Sequence, residues 1–404
     1  MTQGLQCRLR PARGLGVVLA GWMCLQGLPA TAQTIDPGVY ARAGLDHFYN
    51  LEYEEAMEDF QKAIEGDPDN LIYYNFLTNT YLFQELHRLG QLEGNLYAGS
   101  NRFLKEKKPQ PDAQRMELIE ERIAQVKQRG QERLEENPQD VHALYALGIA
   151  YGLEANVAFT LRKAYLDALR AGGKANDLHR KVLKLDPSFA DAKLIPGLYE
   201  YVVGSVPLTV RWIVFLMGHH GSKERGIELL QQTMMNAEWV NSDAAVLLSV
   251  IYTREKEHAY TRQLMARISE YYPRNPLYFM EIGRSYQREG QTEKALAIYQ
   301  QAAFRLEAGQ PGYHKIPRDR LYYEIGSLHQ QLGQFDNALA AYGKITEEKE
   351  SDSPLRAYAA LQRGDIFRAK KEPEKARTEY QIVVSLPYEE PRRQAQERLR
   401  KLNQ

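Results

Sequence analysis

One spacing recurs along this 404-residue chain and restricts it to a narrow set of folds. Gly283, Tyr286, Gly290, Ala295, Tyr299 and Ala302 are followed, at identical intervals, by Gly326, His329, Gly333, Ala338, Tyr342 and Ile345. The series returns as Gly364, Phe367, Ala376, Tyr380 and Val383, and appears earlier as Gly44, His47, Ala56, Phe60 and Ala63. Each copy reads as two short amphipathic helices. The small residues fall where the helices cross, because only a small side chain lets two backbones approach, and the Tyr or Phe fills the adjoining gap. At four junctions a proline stands ten residues ahead of the next small residue: Pro68 with Thr78, Pro138 with Gly148, Pro187 with Gly197, Pro273 with Gly283. Proline cannot continue a helix interior, so it sets the break between units.

These residues resemble the tetratricopeptide repeat. The likeness is fullest over 37–70, 276–302, 319–345 and 357–383. It is less full over 141–152, 190–200 and 242–273, and over 71–82 it rests on Leu77 and Tyr81 alone. The first-helix Trp of the family pattern is replaced by Tyr40, Tyr74, Leu144, Phe279 and Tyr322. The resemblance implies an all-α, right-handed superhelical array of about eight helix-turn-helix units, in a family that mostly binds other proteins. It further implies a concave surface built by first helices, onto which Arg254, Met280, Arg284, Gln287, Arg288, Tyr323, Gln330, Gln331 and Arg368 fall by register. Arginines, amides and an aromatic ring there point to an extended acidic or carboxylate-bearing peptide, held in part by charge-assisted bonds. The Lys and Asn of the family's chaperone-type carboxylate clamp are not at the matching positions, which disfavours that partner. On this reading, reversing Arg284 and Arg288 to Glu should weaken partner capture without lowering stability.

Three places break the period. Between Tyr81 and Pro138, Met116, Ile119, Ile123, Val126 and Leu134 predict a long amphipathic helix over 113–136 with Asp112 as its cap, preceded by a Lys105–Pro111 loop. Between Tyr151 and Pro187 some fifteen extra residues read as an added helix, 154–171, closed by Gly172-Gly173. A second insert, Ser205–Gly221, carries the apolar run Pro207–Met217, and Ser222 caps a fresh helix after it. Inserts in neighbouring units are expected to lie side by side, since repeats stack in order. Docking helix 154–171 on Pro207–Met217 would bury both and gather Asn156, Arg162, Tyr199, Tyr201, Arg211 and Trp212 around one seam. The middle region also faintly resembles the helical T-component of tripartite solute transporters and the family that includes tetratricopeptide-repeat protein 39.

The N-terminus reads as an address. Arg8, Arg10 and Arg13 precede an apolar run from Leu15 to Leu28 and the small residues of Ala30-Thr31-Ala32, the pattern of a secretory signal peptide cut after Ala32. A bilayer span needs about 20 apolar residues, more than this interrupted run supplies. Cleavage would remove both cysteines, Cys7 and Cys24, and leave a thiol-free chain suited to an oxidising compartment, periplasmic in a Gram-negative source. The expected organisation is a signal peptide (1–32), N-terminal helices with an expanded second unit (33–152), middle repeats with the inserted lobe (153–240) and a C-terminal array (241–404).

Catalytic and metal signatures are missing. The sequence holds no phosphate-binding glycine loop, no HExxH, no paired-Cys site and no GxSxG elbow. The adjacent pair His219-His220 would point about 100° apart on a helix, a poor start for a metal site. His47 and His329 occupy the repeat's aromatic position and read as packing residues. A formal net charge of zero gives no pull toward nucleic acid. No cofactor, metal or catalytic residue is expected, and any membrane contact would be peripheral. The reading is a non-enzymatic protein-interaction scaffold or adaptor of the cell envelope. The alternative is a solute-binding or delivery accessory with a small-ligand pocket between the middle inserts.

Overall fold

The computed structural model describes residues 36–92, 110–207, 218, 220–346 and 354–402. Every regular element among them is helical. Among the described residues eight hairpins follow one another: α1 (Pro37–Tyr49) with α2 (Tyr53–Gly66), α3 (Leu71–Arg88) with α4 (Ala113–Glu136), and α5 (Val141–Thr160) with α6 (Tyr165–Leu185). Next come α7 (Leu194–Gly204) with α8 (Lys223–Asn236) and α9 (Asn241–Arg254) with α10 (His258–Tyr271). The last are α11 (Pro276–Arg288) with α12 (Thr292–Glu307), α13 (Arg318–Gln331) with α14 (Phe335–Thr346), and α15 (Pro354–Ala369) with α16 (Pro373–Ser385), followed by a single helix α17 (Glu389–Leu402). The expected leader at 1–32, the run 208–217 and His219 lie outside the described residues.

Local chemistry explains the hairpins. First helices open on side-chain caps: Asp36, Asn70, Asp140 and Asn275 each accept a backbone N–H from the first turn. Within a hairpin the chain reverses through one left-handed residue, at Leu51, Gly90, Lys256, Gly290, Gly333 and Lys371. The N–H after each bonds to the carbonyl five residues back, as from Gln291 to Tyr286 at 3.0 Å and from Gln334 to His329 at 2.9 Å. That closure satisfies carbonyls the ending helix leaves open. Glycine adopts the left-handed conformation freely, while Leu51, Lys256 and Lys371 carry a steric cost there.

The repeat's small residue makes a measurable approach. A Cβ on Gly326 would lie 2.6 Å from a ring carbon of Tyr342, and one on Gly364 2.4 Å from Tyr380. Gly44 stands in the same relation to Phe60. The ring of each second helix therefore passes directly beneath the first.

The chain divides into two compact units, meeting between Ile251 and Tyr252. In the first unit α4 is the predicted long helix, and Asp112 caps it by accepting from Arg115 N. Glu85, fully buried at the end of α3, pins that start: it takes two bonds from Arg88, at 2.7 and 2.6 Å, and one from Asp112 N at 2.8 Å. The helix expected over 154–171 does not form. The chain instead turns at Leu161–Ala164, with Lys163 left-handed, so the extra residues lengthen both arms of the α5–α6 hairpin. Gly172-Gly173 lie inside α6, not at its end. The apolar side of the lengthened arm is covered by α3 and α4, where Leu153, Val157 and Leu161 pack with Leu82, Leu86, Ile119 and Ile123.

The first unit also folds back on its own first helices. Arg42 of α1 reaches Glu238 at 3.7 Å and lies over the Trp239 ring, which also meets Phe76 of α3 at 5.8 Å. Asp191 holds this segment in place by accepting from the backbone N–H groups of Glu238, Trp239 and Val240. The second unit ends in a cluster where Ala357, Leu361, Ala376, Tyr380 and Val383 pack with Ala395 of α17.

Candidate functional site

The first-helix residues singled out by register all fall within the second unit. Its first helices α11, α13 and α15 are joined side by side: Gln287 donates to Glu324 at 3.1 Å, and Tyr323 bonds to Gln362. Of the nine candidates, Met280 and Tyr323 are buried and serve packing. Arg284, Gln287, Arg288 and Gln330 are half-buried, and Arg254, Gln331 and Arg368 are exposed.

The arginines are not a bare basic strip. Glu281, itself buried, accepts from Arg284 at 2.7 Å and from Arg288 at 2.5 Å. Burial pushes the Glu281 carboxyl up, but the two guanidinium charges and their bonds outweigh it and hold the group below the usual carboxylate range. Three charges therefore sum to about +1 where the register alone suggested +2. Charge reversal of both arginines would set three carboxylates against one another, so the expectation of unchanged stability is corrected: that double variant should destabilise the fold. Arg368 lies 3.9 Å from Asp365, which is also bound by Arg398 and by the Tyr380 hydroxyl.

A second regularity escaped the sequence reading. The tyrosines that pass beneath Gly283 and Gly326 emerge on the far side of the first helix. There Tyr299 donates its hydroxyl to Gln287 Oε1 at 2.8 Å and Tyr342 to Gln330 Oε1 at 3.1 Å. Burial is the main cause that drives both hydroxyls well above their ordinary pKa, so each stays protonated and able to donate. The sequence signal was the Gln four residues after the repeat's Gly, present in two consecutive units.

The described middle-lobe candidates each have partners of their own. Arg162 pairs with Glu120 of α4, and Asn156 offers its backbone carbonyl to Thr160 within α5. Tyr201 is buried, and Tyr199 is pushed up to about 12, chiefly by burial and then by Asp177 of α6. Arg211 and Trp212 lie outside the described residues. The histidines at the aromatic position are hydrogen-bonded: His47 to Asp59 at 3.0 Å, His329 to Gln334 at 2.6 Å. His179 is the most buried, packed where a Cβ on Gly148 would lie 2.1 Å away, and burial lowers it to about 4, which leaves it neutral. Among the described residues no group of three or more His, Cys, Asp or Glu is placed to hold a metal ion, and no helix is long and apolar enough to cross a membrane.

Family models recognise part of the chain. Family models described as tetratricopeptide repeat match residues 278–303 and 323–389, both in the second unit. No curated protein matches the sequence. Among solved structures the chain is similar to the Cut9–Hcn1 hetero-tetramer of the APC/C, at 14% identity and a TM-score of 0.40, covering 87% of this chain and 53% of that one. It is also similar to yeast Tom70, at 13% identity and 0.35, covering 91% and 89%. A third likeness is to YrrB, described as a TPR protein with an unusual peptide-binding site, at 18% identity and 0.35, covering 60% and 97%. The chain thus spans about half the length of the Cut9–Hcn1 chain it matches. Among the described residues the protein is an all-α array of helical hairpins, and the tetratricopeptide match lies in its second unit.

Proposed function

We propose that the protein is a non-catalytic interaction scaffold whose second unit holds an extended segment of a partner protein across α11, α13 and α15. The observation that carries this is the contrast between the two units. In the first, residues of α1 and α3 are taken up by the chain's own segment at Glu238–Val240. In the second, the equivalent helices present Arg284, Arg288, Gln330 and Gln331 with part of their surface in water. The guanidinium groups of Arg284 and Arg288, with Arg368 on α15, offer charge-assisted donors to a segment bearing carboxylates. The solute-binding alternative gains no support, because the apolar side of the lengthened hairpin is spent on α3 and α4. We also read residues 1–32 as a cleaved leader that places the scaffold in the envelope. N-terminal sequencing of the exported product should then begin at Gln33.

Site-specific photo-crosslinking tests the scaffold reading. A crosslinker at Gln331 or Arg368 should capture a partner, and an excess of Glu-rich peptide should compete where Lys-rich peptide does not. The same crosslinker at Phe304, exposed on second helix α12, serves as the control. Capture from Phe304 alone, or equally from all three positions, would remove the face from consideration.

A further inference from the structure

The paired Tyr–Gln contacts turn two side-chain amides the same way. Each tyrosine hydroxyl donates to the Gln Oε1, so each NH₂ group is directed away from the ring. The two amides then differ in what they meet. Gln287 gives its NH₂ to Glu324 on the next first helix. At the following junction the residue equivalent to Glu324 is Gln362, and it bonds to Tyr323. Gln330 therefore keeps an oriented NH₂ that makes no bond to any described residue. Its neighbours are polar: Ser327 approaches Tyr342 and accepts from Gln331 at 3.4 Å. In the third unit the series ends, because Tyr380 donates to Asp365, whose carboxylate also binds Arg398 and offers no donor.

We infer that Gln330 is a main-chain anchor, donating its amide NH₂ to a backbone carbonyl of the extended partner segment, and that Tyr342 is the residue that positions it. An amide free to rotate would present donor and acceptor edges in turn and lose order on binding. Here a buried hydroxyl has fixed the donor edge outward before any partner arrives. A backbone carbonyl is the natural complement, since every residue of an extended segment carries one regardless of its side chain. The anchor thus supplies register and affinity, while the charged pair at Arg284 and Arg288 reads side chains. This inference rests on the scaffold function proposed above.

The test uses the full chain and, as probe, linear peptides selected against it from a random peptide library. Gln330→Glu keeps an acceptor for Tyr342 and removes the donor, and Gln330→Met removes it without adding charge. Both should weaken a selected peptide by about 3- to 10-fold, the worth of one neutral hydrogen bond; Gln330→Glu should do so with little change in thermal stability, and Gln330→Met with a lowered melting temperature, since it takes away the acceptor of the Tyr342 hydroxyl. Replacing one peptide amide by an ester, which weakens its carbonyl as an acceptor, should cost a similar factor in the parent and nothing further in Gln330→Met. Tyr342→Phe should weaken the peptide comparably and move the Gln330 side-chain NH₂ resonances toward their solvent-exposed values. Selected peptides that bind Gln330→Met as tightly as the parent would overturn the anchor and leave the scaffold reading standing. Loss of binding in Gln330→Met with full binding in Tyr342→Phe would overturn the positioning role. Failure of the library to yield any peptide that competes with crosslinking at Gln331 would count against the scaffold reading and the anchor together.

Discussion

At the scale of single residues, the repeat is a steric contract between a glycine and a ring. Gly326→Ala drives a methyl to within 2.6 Å of Tyr342, whose fully buried ring has nowhere to retreat. The variant should lose about 1–3 kcal/mol in denaturant unfolding, as overpacked cores do. Ala295→Leu should behave alike, since Ala295 has no exposed surface. Melting curves that match the parent in both would mean the helices cross elsewhere. Glu281 makes a different prediction. Its carboxyl is held below its usual range, so its stabilisation is complete above the ordinary Glu pKa and is lost as pH falls through the lowered folded value. Glu281→Gln should cost roughly 3 kcal/mol near neutrality, because it strands two arginines. The deficit should shrink on acidification; one that stays constant with pH would show that the carboxylate's charge is not what matters. The spacing that permits this pairing stands in the sequence, Glu281 lying three and seven residues before Arg284 and Arg288 on one helical face, but the groove register selects only groove positions and passed over Glu281.

The middle hairpin is where reading by element went astray. A run of small and apolar residues from Ala155 to Leu169 has the composition of one helix, and no Gly or Pro interrupts it. The break comes from Lys163 in a left-handed conformation, a state that lysine's own preferences do not announce. What favours the break is tertiary: ending α5 at Thr160 places Leu153, Val157 and Leu161 on the cluster built by α3 and α4. Leu153→Ala should therefore cost about 2–5 kcal/mol, the usual price of emptying a buried Leu site. A shift in denaturation midpoint too small to measure would mean the arm is not packed against α4. Phe159, Tyr165 and Leu166 at the turn stay more than half exposed, so their substitution to Ser should leave the midpoint nearly unchanged.

For the whole molecule, two compact units imply two unfolding events. All three tryptophans, Trp22, Trp212 and Trp239, precede the boundary at Ile251, so indole fluorescence follows the first unit while far-ultraviolet dichroism follows both. The two signals should give different denaturation midpoints; coincident curves would argue for a single cooperative block. The fluorescence-detected transition should also depend on pH. Burial raises Asp243 to about 6, against a bond from Tyr49 that lowers it. The folded state then binds the proton more tightly than the unfolded chain, so stability of the first unit falls as pH rises from about 4 to 6, and Asp243→Asn should abolish that slope. Periodicity, proline spacing and caps determined the helical hairpins, their number and their register, because those depend on contacts a few residues apart. Pairings between distant segments were decided only in three dimensions: Arg42 with Glu238, the Val157 cluster with α4, and the Gln330 amide taken by Tyr342 at its oxygen while its NH₂ bonds to no described residue, where Gln362 turns to Tyr323. Each depends on which side chain competes for the same space or the same hydrogen bond, and sequence order does not record that competition.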